Sequence, residues 1–301
     1  MDVQRANTMV LLEYYAGVAT DLPIISPHAR RLASLHPSMA ISEPAVMNAC
    51  VTDPFLCAKI CGVANSVFYN HEHRAVFSLE DSIRRVGLHF AKSLLLEAPR
   101  LPTEVDEMQI GMFWAHCMSV AHAASSIASE MDAPPFDKDV AYFIGIVHDI
   151  GYLLQLEFDS RLTLRAHQAQ LAETPEDDGH VAHGEALARH WSLPTAAART
   201  IRHHHDPGLC NDSDARWLSQ VISVSEWLAG RDTIHTAGVP CHRFTATAPM
   251  HCHIDALDLS DESLERIAQE CVKIYENSLT ESARIAATFK DRHPCLRIIE
   301  K

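Results

Sequence analysis

Positive charge is scarce in this chain of 301 residues: 25 lysines and arginines face 39 aspartates and glutamates, a formal net charge of −14. That balance opposes non-specific attraction to phosphate backbones and anionic membrane surfaces, so nucleic acid and membranes are not expected partners. A small anionic ligand is compatible with it, because such a ligand needs only a local positive centre such as a metal or a helix N-terminus. Long apolar runs are missing too. The longest, Val140 to Val147, falls far below the roughly 20 residues of a membrane span. Met9 to Ala19 looks like a signal-peptide core until Glu13 inside it and Asp2 before it are counted, and it reads as a helix. CxxC pairs are absent although there are nine cysteines. An odd number scattered through apolar stretches reads as reduced, buried thiols, and the expected compartment is the cytoplasm. Hairpin turns are the last absence. Asn-Gly does not occur and Asp-Gly occurs once, at Asp178-Gly179, while nearly every periodic segment has helical spacing, so the expected fold is all-α.

With 47% apolar residues the chain can bury a real core. Asp53-Pro54 marks a helix start, an N-cap followed by proline at the first helical position, with Phe55, Leu56, Ile60 and Val63 on one side. Prolines at 99 and 102 among polar residues make the best internal boundary, and further breaks fall at Pro134-Pro135, Glu173 to Gly179 and Pro207-Gly208. The expected units are an N-terminal helical lobe over 20–100, a helical core over 101–230, and 231–301. The last unit is read as an irregular stretch, Arg231 to Ser260, before an amphipathic helix from Glu262 to about Lys290.

Histidine is what the chain has in excess. There are 20, and ten of them fall between His116 and His205. Within that window an apolar helix bearing Val140, Phe143, Ile144 and Val147 ends in His148-Asp149, with Gly151 suited to a turn. Neighbouring helical side chains point about 100° apart, so the pair cannot line one face, but both can reach a metal near the helix end. Further donors recur on other helices: His116, His183, His204-His205, and Glu226 among Leu218, Val221, Ile222 and Leu228. A carboxylate in such apolar company needs a partner, and one donor per helix is how helical proteins build an interior metal site. Imidazole with carboxylate suits Fe, Mn or Zn. His203 reads as an outward neighbour of the pair, and His122, His167, His180 and His190 read as surface or interhelical residues. Cys241-His242 with His251-Cys252-His253 has soft donors but a Cys-x10-Cys spacing that matches no common closed zinc site.

The series resembles the HD superfamily of metal-dependent phosphohydrolases, and more closely its HDOD branch, the HD-related output domain of bacterial signalling proteins. The resemblance runs over about residues 20 to 230. It is carried by Leu22-Pro23, Asp53-Pro54 through Asn65-Ser66 to Tyr69, Ser82 to Gly87, Phe113 to His116, Gly145 to Gly151, His183 to Pro194 and His204 to Pro207. It implies a metal centre of His116, His148, Asp149, His183, His204, His205 and Glu226, with Asp149 as the catalytic residue if the protein turns over substrate. Three departures bear on activity. Tyr152 stands where HD hydrolases often place lysine, Asp206-Pro207-Gly208-Leu209 replaces the extended GYP motif of cyclic-dinucleotide phosphodiesterases, and Glu226 takes the place of the usual late aspartate. The resemblance therefore implies a regulatory protein that binds other signalling proteins or a small anionic ligand. The alternative is a metal-dependent phosphohydrolase acting on a phosphoester or nucleotide. Asn65-Ser66 and Tyr69 read as structural, and the late helix as a cover for its own domain or a homodimer face.

Overall fold

The computed structural model describes residues 22–35, 39–101, 106–153, 179–237 and 248–292. Among the described residues there is no strand, and the fold is all-α. The helix expected over Met9 to Ala19, the residues Cys241 and His242, and His167 lie outside the described residues.

The N-terminal lobe contains α1 (Pro27–Ala33), α2 (Glu43–Val51), α3 (Pro54–Asn65), α4 (Leu79–Val86) and α5 (Leu88–Glu97). Asp53 organises it. One carboxylate oxygen accepts from the Leu56 N–H at 3.1 Å and caps α3, while the other accepts from the N–H groups of Ile25 and Ser26, both at 2.8 Å. The capping aspartate thereby ties the entering chain to the α2–α3 corner. Burial pushes its carboxyl up to about 6, against the backbone donors that hold it down. Asn65 closes the other end of α3, donating to the Val76 carbonyl at 2.6 Å and accepting from the Val76 N–H at 2.8 Å. That is a structural role for the Asn65 signature, since a backbone turn is what its amide satisfies.

The core contains α6 (Glu107–Glu130), α7 (Lys138–Val147), α8 (Gly179–His190), α9 (Thr195–His203) and α10 (Ser213–Ala237), and is followed by α11 (Ala248–Ala256) and α12 (Asp261–Arg292). Helix α6 packs on α7, α10 and α12, and its alanine-rich surface lets α7 approach closely. A Cβ added at Gly145 would lie 2.5 Å from the Cα of Ala121. The lobe is fastened to this core by Trp114, whose indole N–H donates to the Thr52 carbonyl at 2.7 Å, and by a two-pronged Arg30–Glu107 pair at 2.6 and 2.7 Å. One contiguous apolar core runs from Leu22 to Cys271. Of the described cysteines, which are all free, only Cys252 is exposed.

The stretch Arg231 to Ser260 is less irregular than its sequence suggests. Helix α10 continues to Ala237, and 248–256 form α11, whose Met250 and Ile254 join the core together with Leu257 just beyond its end. Three apolar anchors were enough to fix a short helix that its mixed Met, His and Cys pattern hides. No single helix among the described residues is long and apolar enough to cross a membrane.

Candidate metal centre

Five helix-bearing segments deliver imidazoles and carboxylates to one buried place. His116 projects from the middle of α6, where apolar residues on neighbouring turns bury that face. His148 caps α7 and Asp149 follows it; both are buried. The chain is helical again from 150, and there is no room beside Gly151. A Cβ there would lie 1.9 Å from the His180 carbonyl oxygen, so glycine allows the first turn of α8 to sit directly on the strand-free junction after α7. His204 caps α9, His205 follows, and Glu226 stands in the buried middle of α10.

Two of these rings are aimed by the same local device. Nδ1 of His148 faces the Gly145 carbonyl at 2.7 Å, and Nδ1 of His204 faces the Ile201 carbonyl at 2.9 Å. A nitrogen facing a carbonyl must carry the hydrogen, so in the neutral ring Nε2 presents its lone pair to the centre.

The two oxygens of Asp149 look in different directions. Oδ2 is 3.5 Å from Nε2 of His116 and 3.3 Å from Nε2 of His148, while Oδ1 is 3.4 Å from Nε2 of His180 and 3.6 Å from Nε2 of His204. Glu226 Oε1 lies 3.4 Å from His148, 3.9 Å from His204 and 3.8 Å from His205. The donors form two adjoining groups able to hold a cation. An inner group has His116, His148, Asp149 and Glu226, all buried, and an outer group has His180, His204 and His205. His205 is the most open of them, with 24% of its side chain exposed.

Hydrogen bonding within this cluster, such as the 3.3 Å contact between Nε2 of His116 and Nε2 of His148, leaves several of its atoms unpaired. Asp149 Oδ1, Glu226 Oε2, and Nε2 of His180 and His204 are buried without a hydrogen-bond partner, although Asp149 Oδ1 lies only 3.4 and 3.6 Å from those two nitrogens. An unpaired buried polar group costs about 1–3 kcal/mol, so four in one spot call for a cation rather than for packing. The donor set and its orphaned atoms fit a divalent transition metal.

Charge within the cluster points the same way. Burial disfavours protonated His148, but the Asp149 and Glu226 carboxylates outweigh it and push the imidazole up to about 9. Burial likewise disfavours the Asp149 anion, yet His148 and contacts from His116 and His204 hold its carboxyl well below the usual range. Glu226 is held down in the same way by His204 and His205. Burial keeps His204 low and His180 well below its ordinary value, with neighbouring imidazoles adding to the effect. Two carboxylates thus face a protonated His148 while burial holds His180 and His204 toward the neutral form, a setting in which a divalent ion can replace the proton.

The structure brings together His116, His148, Asp149, His204, His205 and Glu226. His183 is the exception: it lies outside both groups, and its Nδ1 turns back to the Gly179 carbonyl within α8. The residue the sequence reading missed is His180, which is buried in the centre. Its signal is Gly184. A glycine whose backbone nitrogen lies 2.8 Å from where a Gly151 side chain would begin marks the packed face of α8. Residues four apart share a helix face, which selects His180 and turns His183 about 60° away from it. His122 is half-buried and His190 exposed, away from the centre. His251 to His253 sit on α11, with Cys252 exposed.

The family model of the HDOD domain matches residues 22–207. An uncharacterized protein of Treponema pallidum (strain Nichols) is 24% identical over 165 residues, 51% of this chain and 32% of that protein, so the match spans about a third of the relative's length. Among solved structures, the MmoQ response regulator of Methylococcus capsulatus superposes with a TM-score of 0.58 at 18% identity, covering 82% of this chain and 98% of that one. A virulence factor of Campylobacter jejuni gives 0.58 at 14% identity, covering 91% and 96%. At such identities the likeness is one of fold.

Proposed function

Because this chain belongs to the HDOD domain family, we propose that it is a bacterial signal-transduction protein that works by binding, with a metal centre of Fe, Mn or Zn as its interior anchor. Its partners are other signalling proteins or a small anionic ligand. His116, His148, Asp149 and Glu226 hold the inner ion, and His180, His204 and His205 the outer one, with Asp149 between them. The observation that carries this reading is the division of the Asp149 oxygens between the two groups, each facing imidazole nitrogens, with Oδ1 left unpaired. A divalent ion there supplies the positive charge that the two carboxylates lack.

Binding is favoured over turnover by what surrounds the donors. All but His205 are buried, and Tyr152 stands where HD hydrolases often place a lysine. The hydrolase alternative draws on the paired donor groups, an arrangement that suits displacement at phosphorus. Metal-supplied protein assayed against phosphomonoesters and phosphodiesters separates the two. The expected result is no turnover above the Asp149→Ala protein. Hydrolysis that disappears with Asp149→Ala would replace the binding reading by the enzymatic one.

Metal uptake should also depend on pH in a defined direction. The ion must displace the proton that His148 holds up to a pH of about 9, and ligands bind metal only when deprotonated. Apparent affinity is therefore expected to fall about tenfold for each pH unit between 8 and 6, as one displaced proton requires. Titration in weak buffer should show close to one proton released per inner ion. An affinity that stays flat over this range would contradict the charge assignment.

A further inference from the structure

Tyr152 lies directly on the centre without belonging to it. Its ring stacks on that of His180 with centroids 4.2 Å apart and planes 10° from parallel. On another side it meets Phe113 of α6 edge-on, at 6.0 Å and 81°. The three rings form a column from α6 to α8, and Tyr152 is buried within it. The preceding residue, Gly151, supports the backbone of His180 at its carbonyl. Two consecutive residues after the His148-Asp149 pair thus hold His180 by its main chain and by its ring plane.

Orientation matters at this ring. A ligating imidazole needs its lone pair within its own plane aimed at the ion, so a plane fixed by stacking fixes the direction of Nε2, which here lies 3.4 Å from Asp149 Oδ1. His148 and His204 are aimed by carbonyls three residues back, whereas an aromatic face sets the plane of His180. A lysine at 152 offers no face to stack on and would put a cation beside the His180 imidazole.

We propose that Tyr152 is a positioning residue for the outer metal ion: by stacking on His180 it sets that ligand's plane, and so governs occupancy of the outer group while leaving the inner group alone. This rests on the metal centre proposed above, and its failure is distinguishable from failure of that centre.

The test is titration of the full chain with Co2+, followed by visible absorption and equilibrium dialysis, for the unaltered protein and for Tyr152→Phe, Tyr152→Met and Tyr152→Leu. The unaltered protein and Tyr152→Phe are expected to take up two ions. Tyr152→Met and Tyr152→Leu are expected to keep one tightly bound ion and to weaken the second by at least about tenfold, the usual loss when a ligand's supporting group is removed. The retained inner ion itself reports that these variants are folded. Two ions at unchanged affinity in the Met and Leu variants would overturn the proposal and leave the centre standing. Equal weakening of both ions would overturn it as well, because it would mark Tyr152 as general packing, and so would loss of the second ion in Tyr152→Phe. An unaltered protein that takes up no Co2+ would instead remove the centre and this inference with it.

Discussion

Purified Asp149→Ala protein should carry no bound transition metal under conditions in which the unaltered chain is loaded, and its apparent affinity should be lower by at least about 100-fold. The size of the effect follows from geometry. Asp149 divides its two oxygens, facing His116 and His148 on one side and His180 and His204 on the other, whereas Glu226 approaches both groups through Oε1 alone and at 3.8 to 3.9 Å on the outer side. Its removal also leaves Glu226 as the sole carboxylate against four or more imidazoles, so a divalent ion would lose half of the compensating negative charge. Stability should respond with the metal. An ion present at 100 times its Kd adds about 2.7 kcal/mol to the folded state, so supplied metal should raise the Tm of the unaltered protein and leave that of Asp149→Ala unmoved. Metal analysis and paired melting curves check both statements. A variant that still binds two ions would remove Asp149 from its place between the groups.

The second large effect is expected where the side chain is smallest. Gly145 lies inside α7, and helix propensity alone says that alanine there should stabilise by about 1 kcal/mol. Sterics carry the opposite sign and win. The new Cβ would sit 2.5 Å from Ala121 Cα, 2.9 Å from Ala121 N and 3.1 Å from the Val120 carbonyl carbon, all backbone atoms of α6 that cannot rotate aside. The two helices must separate, and a cost of about 3 kcal/mol or more is expected. Gly208→Ala is the matched comparison, because its nearest neighbour is a movable Asp206 side-chain oxygen at 3.3 Å. Denaturant midpoints of the two variants should therefore differ widely. The Gly145 carbonyl also aims His148, so whatever folded Gly145→Ala remains should bind metal more weakly as well.

These two positions show what a linear sequence exposes and what it conceals. The all-α class was legible because hairpin signals are missing and apolar residues recur at helical spacing, and His148-Asp149 stood out because a polar pair ends an apolar helix. Nothing in the order of residues says which oxygen of Asp149 faces which imidazole, since that depends on how α6, α8, α9 and α10 cross. His180 was passed over for His183 for a related reason. The two lie three residues apart on one helix, and the packed face is revealed only by the contact between Gly151 and the first turns of α8. Helix α11 escaped notice because its three core anchors are spread among polar residues and cysteine, so a short helix held by tertiary packing showed little periodicity of its own.

The carbonyl that orients His148 belongs to its own helix end, as does the one that orients His204. Each ring is therefore set by three or four consecutive residues, before any partner segment arrives. Ordering these side chains costs entropy once, when the helices form, and not again when an ion enters. A receptor with its donors fixed in advance gains affinity from that saving, and it also gains discrimination: ions that require donors to regroup into another geometry must work against two helix termini rather than against two freely turning side chains.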